Sequence, residues 1–305
     1  MRITTKRWLI TAAVLIAAGC VLFGGVMMAL GWDFLKLGTS RFVTRIYTVS
    51  ESFDSITVTT DTADVVFLPS EQENGEVRCY ETDTRKHNVS VSDGVLTIQV
   101  EDTRRWYDYI GVTFTSPRIT VLLPQSTYRH LTVNSSTGDV TSAHEIAVGA
   151  VNVMTGTGHI RLQNMTADTM AIRVSTGDVT MAAINCQNSA TLSGGTGDMM
   201  VTNLHCTALS VNSSTGNIRL SNTVASDTLT ASCSTGDITL NGCDAAAITV
   251  TTSTGDIKGR LLSGKTFTAS ADTGDVNVPP NSNGGTCQIT TGTGDITITV
   301  GEMIP

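Results

Sequence analysis

Charge and aromatic rings are both scarce in this chain: 15% of its 305 residues are Asp, Glu, Lys or Arg, and 5% are Phe, Trp or Tyr. A disordered acidic tail would carry more charge and less than the 40% hydrophobic content found here. A core of tightly packed rings is excluded as well. Basic residues are outnumbered, 19 against 27 acidic, for a net charge of −8, whereas nucleic-acid binding asks for the opposite surplus. Proline is rare, with 6, and the 7 cysteines include no Cys-x-x-Cys pair of the zinc type. The 5 histidines (His87, His130, His144, His159 and His205) are scattered, and no set of converging carboxylates marks a polysaccharide lyase or hydrolase. These absences lead us to expect no catalytic residue, no cofactor and no metal site.

What is abundant is of two kinds. The first is an uncharged run from Trp8 to Leu30, long enough at about 1.5 Å per residue to span a hydrocarbon core of roughly 30 Å. Arg2, Lys6 and Arg7 precede it and suit a cytoplasmic N-terminus, although Lys36, Arg41 and Arg45 follow closely. A cleaved signal would have a shorter apolar stretch. The "AAGC" ending at Cys20 resembles a lipoprotein signal, but largely apolar residues follow where a polar tether belongs. We expect a single-pass membrane protein with its remaining mass outside the cytoplasm.

The second is a repeat. Glycine follows threonine at Gly138, Gly158, Gly177, Gly197, Gly216, Gly236, Gly255, Gly274 and Gly294, in steps of 19 or 20 residues. Two positions after each glycine stands Val140, Ile160, Val179, Met199, Ile218, Ile238, Ile257, Val276 or Ile296. Five before stand Val133, Val153, Ile172, Leu192, Val211, Ala231, Val250, Ala269 and Ile289, with mostly Thr, Ser, Asn and Arg between. Alternation of period 2 on both sides of the turn predicts two short strands per repeat. One repeat cannot bury its apolar face alone, so the repeats must stack. The fold class is all-β: a single-chain β-solenoid with rungs of 19–20 residues, behind one transmembrane helix.

Glycine at every turn is what a backbone position with φ > 0 demands. The next residue is Asp139, Asp178, Asp198, Asp237, Asp256, Asp275 or Asp295, with His159 and Asn217 as exceptions, and all three residue types tolerate or cap such turns. Turn geometry accounts for the column; a calcium ladder along the aspartates is the alternative. Cys186, Cys206, Cys233, Cys243 and Cys287 share columns with small apolar residues and read as reduced fillers, with Cys186 and Cys206 near enough on consecutive rungs to bridge. Arg161, Arg219 and Lys258 share an outward column.

The expected organisation is a cytoplasmic stretch (1–7), a membrane helix (8–30), a juxtamembrane linker (31–45), irregular β cap or first rungs (46–130), regular solenoid (131–300) and a short tail (301–305). Within the cap, Ala63-Asp64 reads as a worn copy of the turn and Asp93-Gly94 as a hairpin turn. The densest aromatic cluster, "RRWYDYIG", offers Trp106, Tyr107 and Tyr109 as a partner contact, or else packs over the cap. At the far end only "GEMIP" blunts the last strand, which leaves an edge where copies could associate.

The N-terminal anchor, "RRWYDYIGVTFTSPRITVLLP", "LTVNSSTGDV" and the repeated "STGD[VI]" resemble the bacterial "putative adhesin" β-strand-repeat family, a domain-of-unknown-function group, over roughly residues 46–300. The resemblance implies an envelope-associated β-solenoid and brings no catalytic residues. The functional expectation is a membrane-anchored, extracytoplasmic, non-catalytic scaffold with adhesin-like binding, in envelope sensing among other roles, whose partners are glycan, cell wall or envelope protein. The alternatives are calcium-dependent glycan binding and a polysaccharide-degrading β-helix.

Overall fold

The computed structural model describes residues 3–33, 42–105, 115–124 and 127–301. Helix α1 (Ile3–Ala29) starts ahead of the apolar run and is long and apolar enough to cross a membrane. The first strand, β1 (Phe42–Val49), begins inside the stretch expected to be linker. Alternating burial then continues through β2 (Ser55–Thr60), β3 (Asp64–Pro69), β4 (Gly75–Thr82), β5 (Arg85–Ser92), β6 (Val95–Asp102) and β7 (Arg118–Leu123). The regular repeats supply β8 (Thr127–Thr137), β9 (Val140–Ser142), β10 (Ile146–Thr157), β11 (Ile160–Thr176), β12 (Val179–Thr196), β13 (Met199–Thr215) and β14 (Ile218–Thr235). The far end holds β15 (Ile238–Cys243), β16 (Ala247–Thr254), β17 (Ile257–Leu261), β18 (Thr266–Thr273), β19 (Val276–Asn277), β20 (Thr286–Thr293) and β21 (Ile296–Val300).

These strands stack in parallel as a β-solenoid. Ahead of the Thr-Gly turn the layers run β6, β2, β8, β10, β11, β12, β13, β14, β16, β20, β18. After the turn they run β7, β3, β9, β11, β12, β13, β14, β15, β17, β21, β19. Neighbouring layers are about 4.8 Å apart. Layer order departs from chain order at both ends. The β2–β3 rung lies between β6–β7 and β8–β9, and the β20–β21 rung lies between β16–β17 and β18–β19. The near end is closed: β5 pairs antiparallel with β6 through a turn at Asp93 and Gly94, both with φ > 0, and β4 pairs antiparallel with β1 and β7.

One greasy interior runs through every layer. Val140, Ile160, Val179, Ile218, Ile238, Ile257 and Ile296 are all fully buried, and each such side chain contributes about 1.5–3 kcal/mol. Val276 belongs to the same column yet is 43% exposed, because among the described residues β19 is an outermost strand that pairs with β21 alone.

Each regular rung has further corners. Asn164, Ala183, Asn203 and Asn222 stand six residues after their turn glycines with φ between 49° and 55°, a left-handed bend in mid-strand. A third corner absorbs the alternation of 19 and 20. Between paired positions β11 has Asp168 alone where β12 has Gln187 and Asn188, and β13 has Thr207 alone where β14 has Ser226 and Asp227. The period varies there so that the strands stay in register.

Candidate functional site

The Thr-Gly turns form a continuous edge. The nine glycines have φ between 125° and 146°, and an added Cβ on Gly216 would stand 2.1 Å from the Gly197 carbonyl oxygen of the layer before. Only glycine fits both the angle and the stacking distance. The following residue links layers: the backbone N–H of Asp139 donates to Asp64 Oδ1 (3.0 Å), His159 N–H to Asp139 Oδ1 (2.7 Å), and Asp178 N–H to His159 Nδ1 (3.1 Å). The chain of bonds continues through Asp198, Asn217, Asp237, Asp256, Asp295 and Asp275. Asp, Asn and His each place an acceptor at the same point, and Asp64, from the worn turn, joins as the first acceptor. The second carboxylate oxygen takes the outward basic residues: Arg161 meets Asp139 at 3.3 Å, Arg219 meets Asp198 at 2.6 Å, and Lys258 meets Asp256 at 2.8 Å. The Asn217 N–H, then Arg219, holds the Asp198 carboxyl below its usual range.

The face ahead of the turn is different. Two outward rows climb all layers in register. One reads Thr97, Thr57, Thr132, Asn152, Ala171, Thr191, Ser210, Thr230, Thr249, Gln288 and Thr268. The other reads Gln99, Thr59, Asn134, Met154, Arg173, Ser193, Asn212, Ser232, Thr251, Thr290 and Ser270. Arg173 is the single charge in both rows, so this is a flat, almost neutral lattice of hydroxyls and amides. Thr249 and Thr268, one period apart in sequence, are not on adjacent layers, since Gln288 lies between them. Two open grooves flank the solenoid, one of about 520 Å3 beside Asn164, Asn203 and His205 and one of about 640 Å3 beside Arg129, His130 and Asp168.

The cysteines are all free, and the five in the repeats are buried. Burial pushes the thiols of Cys206 and Cys287 up to about 12 and that of Cys243 to about 11. Cys233 is more than a filler. It donates to the Gly216 carbonyl at 3.2 Å, the role of Thr252 toward Gly236 and Thr291 toward Gly255 in the same column. Trp106, Tyr107 and Tyr109 lie outside the described residues.

Sequence reasoning missed two buried polar sites. Lys265, 2% exposed, donates to the carbonyls of Ala245 (2.7 Å) and Gly284 (2.6 Å) and to Ser263 Oγ (2.9 Å), and pairs with Asp244 at 2.6 Å. It pins the crossover where the chain skips a layer. The second site is in the cap, where Glu81 occupies an inward position of β4 two residues after Cys79. Its Oε2 accepts from the backbone N–H of His87 (2.6 Å) and from His87 Nδ1 (2.8 Å). Its Oε1 accepts from Tyr47 Oη at 3.3 Å and lies 3.1 Å from Arg45 Nε. His87 Nε2 is 3.4 Å from Thr60 Oγ1. Burial, then Glu81, raises the Cys79 thiol and the Tyr47 hydroxyl to about 12, while burial lowers His87. The available signal was the inward parity of Val77, Cys79 and Glu81, which puts a carboxylate where a core residue belongs.

Comparison with known proteins adds the following. A family described as "Toastrack DUF4097" matches residues 53–258 and again 197–303. No curated protein matches. Among solved structures, a "putative adhesin" from Bacteroides fragilis is similar at 16% identity and TM-score 0.46, covering 86% of this chain and 98% of that one. A "putative lipid binding protein" from Parabacteroides distasonis is similar at 13% identity and TM-score 0.47, covering 85% and 98% respectively.

Proposed function

Because the chain belongs to the Toastrack DUF4097 family, we propose that it is a membrane-anchored, non-catalytic binding scaffold of the cell envelope. Helix α1 would hold it in the membrane with the N-terminus in the cytoplasm, and the solenoid would stand outside. The observation that carries this reading is the neutral face: two rows, mostly Thr, Ser, Asn and Gln with Ala171 and Met154 among them, in register through all layers and with Arg173 as their only charge. A surface of that kind suits an uncharged, hydroxyl-rich partner such as a glycan or wall polymer, because it desolvates no charge on contact. The ionisable groups of the turn edge are committed to bonds between layers, which supports a scaffold rather than a reaction centre.

A glycan array and a pull-down with residues 42–305 test this. We expect binding to a neutral polymer that Thr230→Lys with Thr249→Lys abolishes. Binding that survives those changes, or turnover of a wall polymer, contradicts it. A reporter fused after Pro305 that is active only in the cytoplasm contradicts the orientation.

Self-association at the far end is part of the proposal, with its location corrected. The strand last in sequence, β21, is interior; the free edge is β18–β19, where Val276 is exposed and Ala269 and Ala271 are half-buried. A monomer independent of concentration in sedimentation would remove this element.

A further inference from the structure

The geometry points to a binding site for a borderline divalent cation of the zinc type at Cys79, Glu81 and His87. One sulfur, one carboxylate oxygen and one imidazole nitrogen, all from buried residues, lie within 4.8 Å of one another. This donor set suits zinc or cobalt, whereas calcium and magnesium take oxygen ligands alone. His87 Nδ1 and Glu81 Oε2, hydrogen-bonded at 2.8 Å, need open by only about 0.6 Å to reach the roughly 3.4 Å between two ligands held at about 2.0–2.2 Å on a tetrahedral metal. The sulfur, within 4.8 Å of both, closes on the metal to a bond length of about 2.3 Å.

The residues behind the donors are those a metal site requires. A ligating histidine normally donates its other ring N–H to an oxygen, and Thr60 Oγ1 stands 3.4 Å from Nε2. A ligating carboxylate is itself held by donors; here Tyr47 Oη donates to Oε1, the Arg45 guanidinium forms an ion pair beside it at 3.1 Å, and the His87 backbone N–H donates to Oε2. Four strands, β1, β2, β4 and β5, supply these groups, so the site forms with the cap. Cys79 Sγ is fully buried beside the Glu81 carboxylate and makes no hydrogen bond among the described residues, which leaves its lone pairs to a metal.

Charge agrees. Arg45 is shared between Glu81 and Asp83 (2.5 Å), so these three groups carry one net negative charge. A divalent cation that displaces the Cys79 proton brings the cluster to neutrality. The balance is simple: the thiol proton leaves to water, the sulfur lone pair goes to the metal, and the His87 ring proton moves from Nδ1 to Nε2, where Thr60 accepts it.

The test uses the full-length chain in detergent, stripped with chelator and brought to equilibrium with Co2+ alone. We expect one equivalent bound with a thiolate-to-cobalt charge-transfer band, displaced by Zn2+ and not by Ca2+ or Mg2+. Cys79→Ser removes the band, Cys243→Ser retains it, and His87→Gln weakens Co2+ binding at least 10-fold, in line with the loss of a ligand. Should Cys79→Ser fail to fold, proton release on the wild type decides: Zn2+ must liberate about one proton per chain at pH 7, since the thiol is otherwise protonated. Absence of a thiolate band in the wild type, its persistence in Cys79→Ser, or binding without proton release overturns the site.

Discussion

At the scale of the residue, stacking imposes rules that a lone turn would not. Gly216 meets the Gly197 carbonyl where its Cβ would be, at φ 125°. Gly216→Ala should therefore cost about 3 kcal/mol or more, from strain plus a clash with unyielding backbone, read as a lowered thermal midpoint. Gly301→Ala, with nothing within 4 Å, should change little. Ala183 is the opposite case: it holds φ 55° in a column whose other left-handed corners are Asn164, Asn203, Asn222 and Gly242. Ala183→Asn should raise stability by up to about 1 kcal/mol, and an unchanged midpoint would contradict the corner assignment. Asp198 accepts the Asn217 N–H at 2.8 Å, and Asn217 serves the next layer in turn. Asp198→Asn should cost a few tenths of a kcal/mol and Asp198→Ala about 1 kcal/mol, because only alanine removes the acceptor. Since the folded-state carboxyl is depressed, its stabilisation is complete above the usual value of 3.8 and is lost as pH falls through the folded one. The thermal midpoint should accordingly drop below about pH 4, less so in Asp198→Asn.

At the scale of the element, the two ends are built differently. The near end is sealed by antiparallel pairing of β4 and β5, while the far end depends on one inserted rung. β18 and β19 pair with β20 and β21 and with no other described strand. Truncation after Gly285 should consequently remove two layers rather than one. Hydrogen exchange would show loss of protection across 266–277 together with newly exposed Ile248 and Val250, whereas retained protection of β18 would mean that it pairs elsewhere. This insertion was not legible in the chain. Gly274 and Gly294 follow the same pattern as every other turn, and periodicity reports that a rung exists without reporting its layer. What marks the crossover is Lys265 and the tight approach of Gly284 to the Gly264 carbonyl, both of which need coordinates to be recognised.

At the scale of the whole molecule, most of the architecture was legible because a solenoid is one dimensional. The turn glycines and the valine and isoleucine columns repeat, each layer touches only its neighbours, and register follows from counting. The cap was less legible, since its antiparallel strands follow no period, and the cluster around Glu81 arises from residues on four strands. The corner asparagines were visible in principle, six residues after Gly158, Gly197 and Gly216, but they fall within runs that read as plain strand. The central claim is the layered coil with its displaced rung, and engineered disulfides test it directly. Adjacent layers, about 4.8 Å apart, are within the reach of a disulfide, and alternate layers, about 9.6 Å apart, are not. Under mild oxidation, peptide mapping should find a bridge in Thr251→Cys with Thr290→Cys and in Thr290→Cys with Ser270→Cys, and none in Thr251→Cys with Ser270→Cys. A bridge between positions 251 and 270, with none between 251 and 290, would contradict the layer order on which this account stands.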